Sequence, residues 1–325
     1  MTDEKSERGG LWEDLSSDFA KVWNSIPLKW LFFALLGVWV VLFHFLGNST
    51  FGYIKSHSLL EWMYWAYNTN EDDQHGLYIP LVILVLFWIS RNDFRGTVTR
   101  PWFGGLLFVF LGLGLHLLGY VGQQARISIA GFFLGIYGIL GLTWGPDALR
   151  KSFFPMCLLA FAIPLGTLAE SITFPLRLLA THLTTFFASH VLGINVIQRG
   201  TQLMDPNGAF QYEVAAACGG LRSLTAVLAL CTIFAFLNFT KIPRRILMIA
   251  AAFPLAVLGN VSRLLLIVTV SEAFGQKTGQ LVHDNSYLSL IPYIPPIIGI
   301  VVLGHFLQED RPEQITQPEP VQQPA

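Results

Sequence analysis

Residues 246–269 read ILMIAAAFPLAVLGNVSRLLLIVT, an apolar stretch interrupted by a single charge, Arg263. As a helix rising 1.5 Å per residue, this run is long enough to cross a hydrocarbon layer roughly 30 Å thick. Comparable runs lie on either side of it, at 28–47, 77–90, 102–120, 127–144, 153–168, 221–237 and 288–307. The 325 residues are 53% hydrophobic and only 13% charged, which leaves little material for a soluble domain. The expected fold is therefore all-α and integral to the membrane, with about eight transmembrane helices. The membrane domain covers 28–307, preceded by a polar segment, 1–27, and followed by a Pro-, Gln- and Glu-rich tail, 308–325, expected to be disordered. The runs at 77–90 and 153–168 are short enough to be interfacial or re-entrant instead. No apolar h-region or cleavage site precedes the first span, so no cleavable signal peptide is expected.

Short cytoplasmic loops retain Lys and Arg, and the basic residues of this chain are distributed accordingly. With the N-terminus inside, the clusters Arg91/Arg95/Arg100, Arg150/Lys151 and Lys241/Arg244/Arg245 all face the cytoplasm. The outer segments keep only Lys55, Arg126, Arg177, Arg199 and Lys277. Both termini are then expected in the cytoplasm of a multi-pass plasma (inner) membrane protein. Two outer segments are long. The first holds SLLEWMYWAYN, an aromatic amphipathic stretch expected in the headgroup region, and the acidic turn EDDQHG. The second, 170–217, opens with a helical apolar pattern and ends in two extended pieces around the turn Asp205-Pro206-Asn207-Gly208. Together they are expected to cap the outer face with an amphipathic helix and short extended segments.

Three groups with catalytic potential converge at that face. Cys218, in EVAAACGGLRSL, lies roughly 34 Å along a helix from Lys241, and Arg263 lies about 27 Å from Arg245, so both arrive near the outer boundary. His283 precedes the final span and belongs at the same level. A thiol at a helix start beside cations is biased towards the reactive thiolate. Gly219 and Gly220 leave the sulfur uncrowded and would let a substrate backbone approach. His283 is suited to proton transfer, and Arg263 to holding a developing oxyanion or a substrate carbonyl. Asn260, one helical turn before Arg263, is placed to orient the guanidinium. Arg222 lies about 6 Å deeper than Cys218 and requires a polar partner.

Plain structural readings account for other residues. Cys157 and Cys231 read as small apolar fillers, and His44, His116, His182, His190 and His305 as structural. Asp72, Asp73 and His75 match no metal-ligand spacing and read as a solvated acidic turn, so no metal and no cofactor is expected. A formal charge of −1, with basic residues committed to topology, excludes nucleic acid.

The order EVAAACGGLRSL, NVSR at 260–263 and then His283 resembles the exosortase/archaeosortase family of polytopic membrane cysteine transpeptidases. QHGLYIPL at 74–81 is similar to that family's His-Gly-x-x-x-Pro element, which adds His75 to the supporting residues. The resemblance runs from about Trp30 to Leu307. It implies that Cys218 is the nucleophile, Arg263 the essential arginine and His283 the proton-transfer partner. The implied partners are membrane-anchored secreted proteins whose C-terminal sorting tag joins a Pro-Glu-Pro-like motif, a helix and a basic cluster. Cleavage would pass through a thioacyl-enzyme and end on an amine acceptor. The family commonly has Ser after the nucleophile, where this chain has Gly219.

The chain's own Gln-Pro-Glu-Pro, at 317–320, is followed by neither an apolar helix nor a basic cluster and is not read as a tag. Two alternatives stay open: a purely hydrolytic membrane cysteine protease with the same site, and a non-enzymatic transporter or export scaffold.

Overall fold

Apolar composition over long uninterrupted stretches makes this chain predominantly helical, and the computed structural model describes residues 17–50, 54–95, 100–166, 168–213, 221–284 and 288–309. Four helical stretches are long and apolar enough to cross a membrane: Lys29–Leu46, Asp72–Ile89, Ala125–Ala162 and Ile242–Phe274. Shorter apolar helices occupy Gly105–Val121, Ser223–Asn238 and Leu290–Phe306. In chain order the helices are α1 (17–25), α2 (Lys29–Leu46), α3 (Leu59–Thr69), α4 (Ile79–Ile89), α5 (Arg91–Arg95), α6 (Gly105–Val121) and α7 (Ala125–Cys157). They continue as α8 (Leu168–His190), α9 (Leu221–Asn238), α10 (Ile242–Ala250), α11 (Ala252–Phe274), α12 (Gln276–Asp284) and α13 (Ile294–Phe306). Two compact units result, Met1–Pro175 with Ala215–Thr225, and Leu176–Val214 with Ala226–Ala325.

In the first unit, α7 is a hairpin of two arms. Gly145 sits at φ 88° and ψ 176°, a backbone region open essentially to glycine alone, and Pro146 starts the second arm where its missing N–H costs nothing. The Tyr137 hydroxyl donates to Leu149 O at 2.9 Å, and Arg126 Nε donates to Pro164 O at 2.7 Å. A straight helix from 126 to 164 would separate those last groups by more than about 50 Å. The sequence runs 127–144 and 153–168 are therefore antiparallel arms, and the second arm starts at Pro146 and ends in a 3-10 turn at Leu158–Ala162.

The first arm of α7 packs on α6 backbone to backbone. A Cβ on Gly105 would meet Gly138 O at 2.6 Å, and one on Gly112 would meet Gly131 O at 2.6 Å. The seven-residue spacing keeps one glycine seam along the contact, as small residues do where hydrocarbon gives helices no reason to associate through apolar burial. On the other side of α7, Trp39 Nε1 of α2 donates to Phe132 O at 3.0 Å, and Phe43 is wholly buried against Phe132. The aromatic stretch expected at the headgroups is α3, capped by Ser58, and it joins this core through Leu59, Trp62, Met63 and Tyr67.

In the second unit, the outer-cap sequence forms a three-stranded antiparallel sheet, β1 (Ile197–Arg199), β2 (Gln202–Met204) and β3 (Gln211–Glu213). The expected turn joins β2 to β3, with Asp205 Oδ2 accepting from the N–H groups of Asn207 and Ala209. The first extended piece itself folds over at Gly200 into β1 and β2, with Arg199 paired to Gln202. The preceding helix begins at Leu168, in the first unit and earlier than the apolar pattern suggests, and it buries a stripe of polar residues. Thr173, Arg177, Thr181 and Thr184 are buried, while Phe174, Leu179, Phe186 and Phe187 are exposed.

α10 and α11 are nearly continuous. Hydrogen bonds Ala251 N to Leu247 O and Leu255 N to Ala251 O cross the join, and the interruption falls where Pro254 has no N–H to give. The segment entering α10 is held by Glu309, whose carboxylate accepts from the Thr240 hydroxyl and from Lys241 N at 2.9 Å. Those bonds, the Thr240 hydroxyl first, hold the Glu309 carboxyl below its ordinary value of 4.5. The expected tail from 308 is thus anchored at its start; residues 310–325 lie outside the described residues.

Two outcomes follow. Gly112→Ala forces the α6 and α7 backbones apart and should lower stability by about 1–3 kcal/mol, whereas Gly114→Ala, with nothing within 4 Å of its Cβ, should not lower the thermal unfolding temperature in detergent and should raise it slightly through helix propensity. A depressed carboxyl contributes stability that is present above its unfolded value and lost as pH falls through its folded one. The difference in melting temperature between the native chain and Glu309→Gln should therefore be constant above pH 4.5 and shrink below it.

Candidate functional site

α11 carries two of the residues singled out in the sequence, and α12 carries a third. At Gly275 the chain turns at φ 86°, and α12 runs back along the last turns of α11. The return is close because residue 279 has no side chain: a Cβ there would stand 1.9 Å from Ser271 Oγ and 3.2 Å from Ile267 O. One turn onward on α12 is residue 283, and one turn back from Ile267 on α11 is Arg263. The helix pair thus carries positions 263 and 283 on neighbouring turns. His283 lies within α12 rather than in an open loop; its side chain lies outside the described residues.

Arg263 is half-buried, and its guanidinium carbon sits 5.5 Å from the centre of the Tyr293 ring. This cation–π arrangement helps hold the guanidinium in place. Tyr293 ends the 3-10 segment Leu288–Tyr293, which is held against α11 at Gly259, where a Cβ would meet Pro296 Cγ at 2.9 Å and Pro292 O at 3.4 Å. Asn260, the next residue, is 4% exposed and lies one turn before Arg263. The sequence gives no signal for Tyr293, since the pairing depends on how the last span packs. In sequence Arg177 likewise appears only as an outer-segment charge. Its burial follows from the Thr/Arg stripe at 173, 177, 181 and 184, a period visible on a helical wheel.

β3 reaches the same helix pair. The Tyr212 hydroxyl lies 2.8 Å from both Ser271 Oγ and Gln276 O, and Gln276 Nε2 donates to Gln211 O at 3.1 Å. Cys218, Gly219 and Gly220 lie outside the described residues. Arg222 falls in the first turn of α9, and its side chain also lies outside them.

His75 belongs to the first unit, in the 3-10 segment Glu71–Leu77. Its Nδ1 is 2.8 Å from Asp72 O, and because a carbonyl can only accept, Nδ1 carries the proton. The acidic turn around it is not solvated as the composition suggests. Asp73 is 3% exposed, and its carboxylate accepts from Leu165 N at 3.0 Å, Gly166 N at 3.1 Å and Asn70 Nδ2 at 2.9 Å. Tyr67 donates to Ala162 O beside it, its phenol pushed above the ordinary 10.0 by burial and by Asp73. Gly76 makes room for that ring, since a Cβ would fall 2.3 Å from Tyr67 Cε1. The Gln-His-Gly element thereby fastens the start of α4 to the turn that closes the α7 hairpin.

The sequence model described as transmembrane exosortase matches residues 64–294, well over half of the chain. No curated protein and no solved structure matches it.

Removing the Asp73 carboxylate leaves two backbone N–H groups without their acceptor. Asp73→Ala should therefore lower stability by about 1–3 kcal/mol in thermal unfolding, and Asp73→Asn, which keeps an acceptor oxygen, by less.

Proposed function

Because this chain belongs to the transmembrane exosortase family, we propose that it is a membrane-embedded cysteine transpeptidase that cleaves C-terminal sorting tags from exported proteins. Cys218 acts as the nucleophile, Arg263 binds the carbonyl oxygen as it becomes an oxyanion, and His283 moves the proton. The observation that most supports this reading is the return of α12 along α11, which carries positions 263 and 283 on neighbouring turns of one helix pair.

The chemistry follows from those roles. The Cys218 thiolate attacks the scissile carbonyl, forming a C–S bond while negative charge gathers on oxygen. The Arg263 guanidinium, already fixed over Tyr293, needs little reorganisation to meet that charge. Collapse breaks the C–N bond, the leaving amine takes a proton from His283, and a thioacyl-enzyme remains. An acceptor amine then attacks the thioester, giving its proton to His283 and restoring the thiolate. Asn260 supports Arg263, Arg222 supplies positive potential one turn beyond the thiol, and Gly219 and Gly220 leave room for the peptide. With Gly219 in place of a hydroxyl, activation of the thiolate rests on the cations and the helix start.

The membrane arrangement belongs to the same proposal. Counting the two arms of α7 separately gives eight crossings, with both termini cytoplasmic and the site at the outer boundary of the inner membrane. Support comes from one end of the first unit, where Lys29 lies over Trp23, Arg91 lies over Trp88, and Trp144 Nε1 donates to Pro27 O. Aromatic and basic side chains mixed in this way suit a cytoplasmic interface.

Cys218→Ala, Arg263→Ala and His283→Ala should each leave a co-expressed tagged protein at full length while the variant still accumulates in membranes. Normal processing by the Cys218 variant would falsify the assignment. Mass analysis of the released protein then separates transfer from hydrolysis, because a free carboxylate at the new C-terminus indicates water as the acceptor.

A further inference from the structure

Lys241, Arg244 and Arg245 are the only charged residues between positions 226 and 253, and they cluster where α10 begins. α10 packs against α11 and α13 within the second unit. It turns Met248 inward, where that side chain is fully buried, and leaves Ile242, Ile246 and Leu247 exposed. Arg244, one turn before Met248, and Arg245 are half-buried. Exposed apolar side chains beside half-buried cations invert the pattern of a helix that faces water.

The two arginines reach the ends of other helices. Arg244 Nη1 donates to Leu307 O at 2.9 Å, at the end of α13, and Arg245 Nε donates to Phe239 O at 2.8 Å, just past α9. Both carbonyls belong to final turns, whose oxygens have no partner inside their own helix and point beyond its end. The Arg245 guanidinium also sits 4.6 Å from the centre of the Phe236 ring. Neutral groups therefore restrict both guanidiniums, and among the described residues neither forms an ion pair. Glu309 is taken up with the Thr240 hydroxyl and with Lys241 N. Three cations thus stand against one carboxylate.

We propose that this end of the second unit binds an anionic phospholipid, its phosphate taken by Arg244 and Arg245 and its acyl chains lying along Ile242, Ile246 and Leu247. A guanidinium meets a phosphodiester through paired N–H···O bonds that an ammonium cannot copy. Excess positive charge at the foot of membrane helices selects acidic headgroups, while a zwitterionic lipid would bring its own cation against Lys241. A soluble anion would use the arginines and leave the apolar face uncovered. Such a site needs only that the second unit lie in a bilayer, and it is independent of the catalytic assignment.

The test uses the full-length chain purified in neutral detergent, with fluorescent phosphatidylglycerol as the probe. Native protein should bind it saturably, and about tenfold more tightly than phosphatidylcholine carrying the same chains and label. Arg244→Gln with Arg245→Gln should weaken binding on the order of tenfold, and Arg244→Lys with Arg245→Lys, which keeps both charges, about threefold. Glu309→Gln removes the opposing charge and should tighten binding about twofold, a gain that loss of fold cannot produce. Arg150→Gln with Lys151→Gln, in the first unit, should leave affinity within about twofold of native. Native affinity in either arginine pair overturns the site, as does equal weakening by the Arg150/Lys151 pair, which would mean diffuse attraction alone. Displacement of the probe by glycerol phosphate as readily as by unlabelled phosphatidylglycerol overturns it too, because the acyl chains would then contribute nothing. If the glutamine pair fails to fold, the lysine pair and Glu309→Gln decide.

Discussion

Helices surrounded by hydrocarbon gain nothing from hiding apolar side chains from lipid, so close approach of their backbones becomes the interaction on which this fold depends. Glycine decides where that approach is allowed. In the first unit the seam of Gly105 and Gly112 against Gly138 and Gly131 brings α6 and the first arm of α7 together without intervening side chains. In the second unit Gly259 admits Pro292 and Pro296, and Gly279 admits Ser271 and Tyr212. Once backbones are this near, single polar groups such as Asp73 and Ser271 can span the remaining gap and fix the register.

These contacts divide the labour between the units. The first is built around aromatic packing of Trp39, Phe43 and Phe132 and is closed by Asp73 at the neck of the α7 hairpin. The second holds α11 and α12, with the Arg263 guanidinium set over the Tyr293 ring.

Much of this was legible from residue order alone. Long apolar runs identify α2 and α11, and the Asp-Pro-Asn-Gly turn identifies the β2–β3 hairpin, because those signals are local. The α7 hairpin was legible only as two runs; that they fold back on one another depends on Gly145 and on the contact between Arg126 and Pro164, thirty-eight positions apart. Asp73 departs from the rule that an acidic triplet remains in water, and nothing nearby in sequence reveals the two amide groups that bury it. Tyr293 and Tyr212 carry no local signal for the same reason: their partners are set by which helix turn faces which. Cys218, the residue that made the sequence suggestive, lies outside the described residues, so its part in the site stands on residue order and family membership.

α8 has a consequence for how the chain reaches its final state. Its polar stripe faces inward and its phenylalanines face outward, so its average hydropathy is too mild to mark it as a span even though its exposed surface suits lipid. For a segment of this kind the rotation about its own axis is set by the burial of Arg177 and the threonines rather than by mean hydropathy, so a change in that stripe alters which face the helix presents.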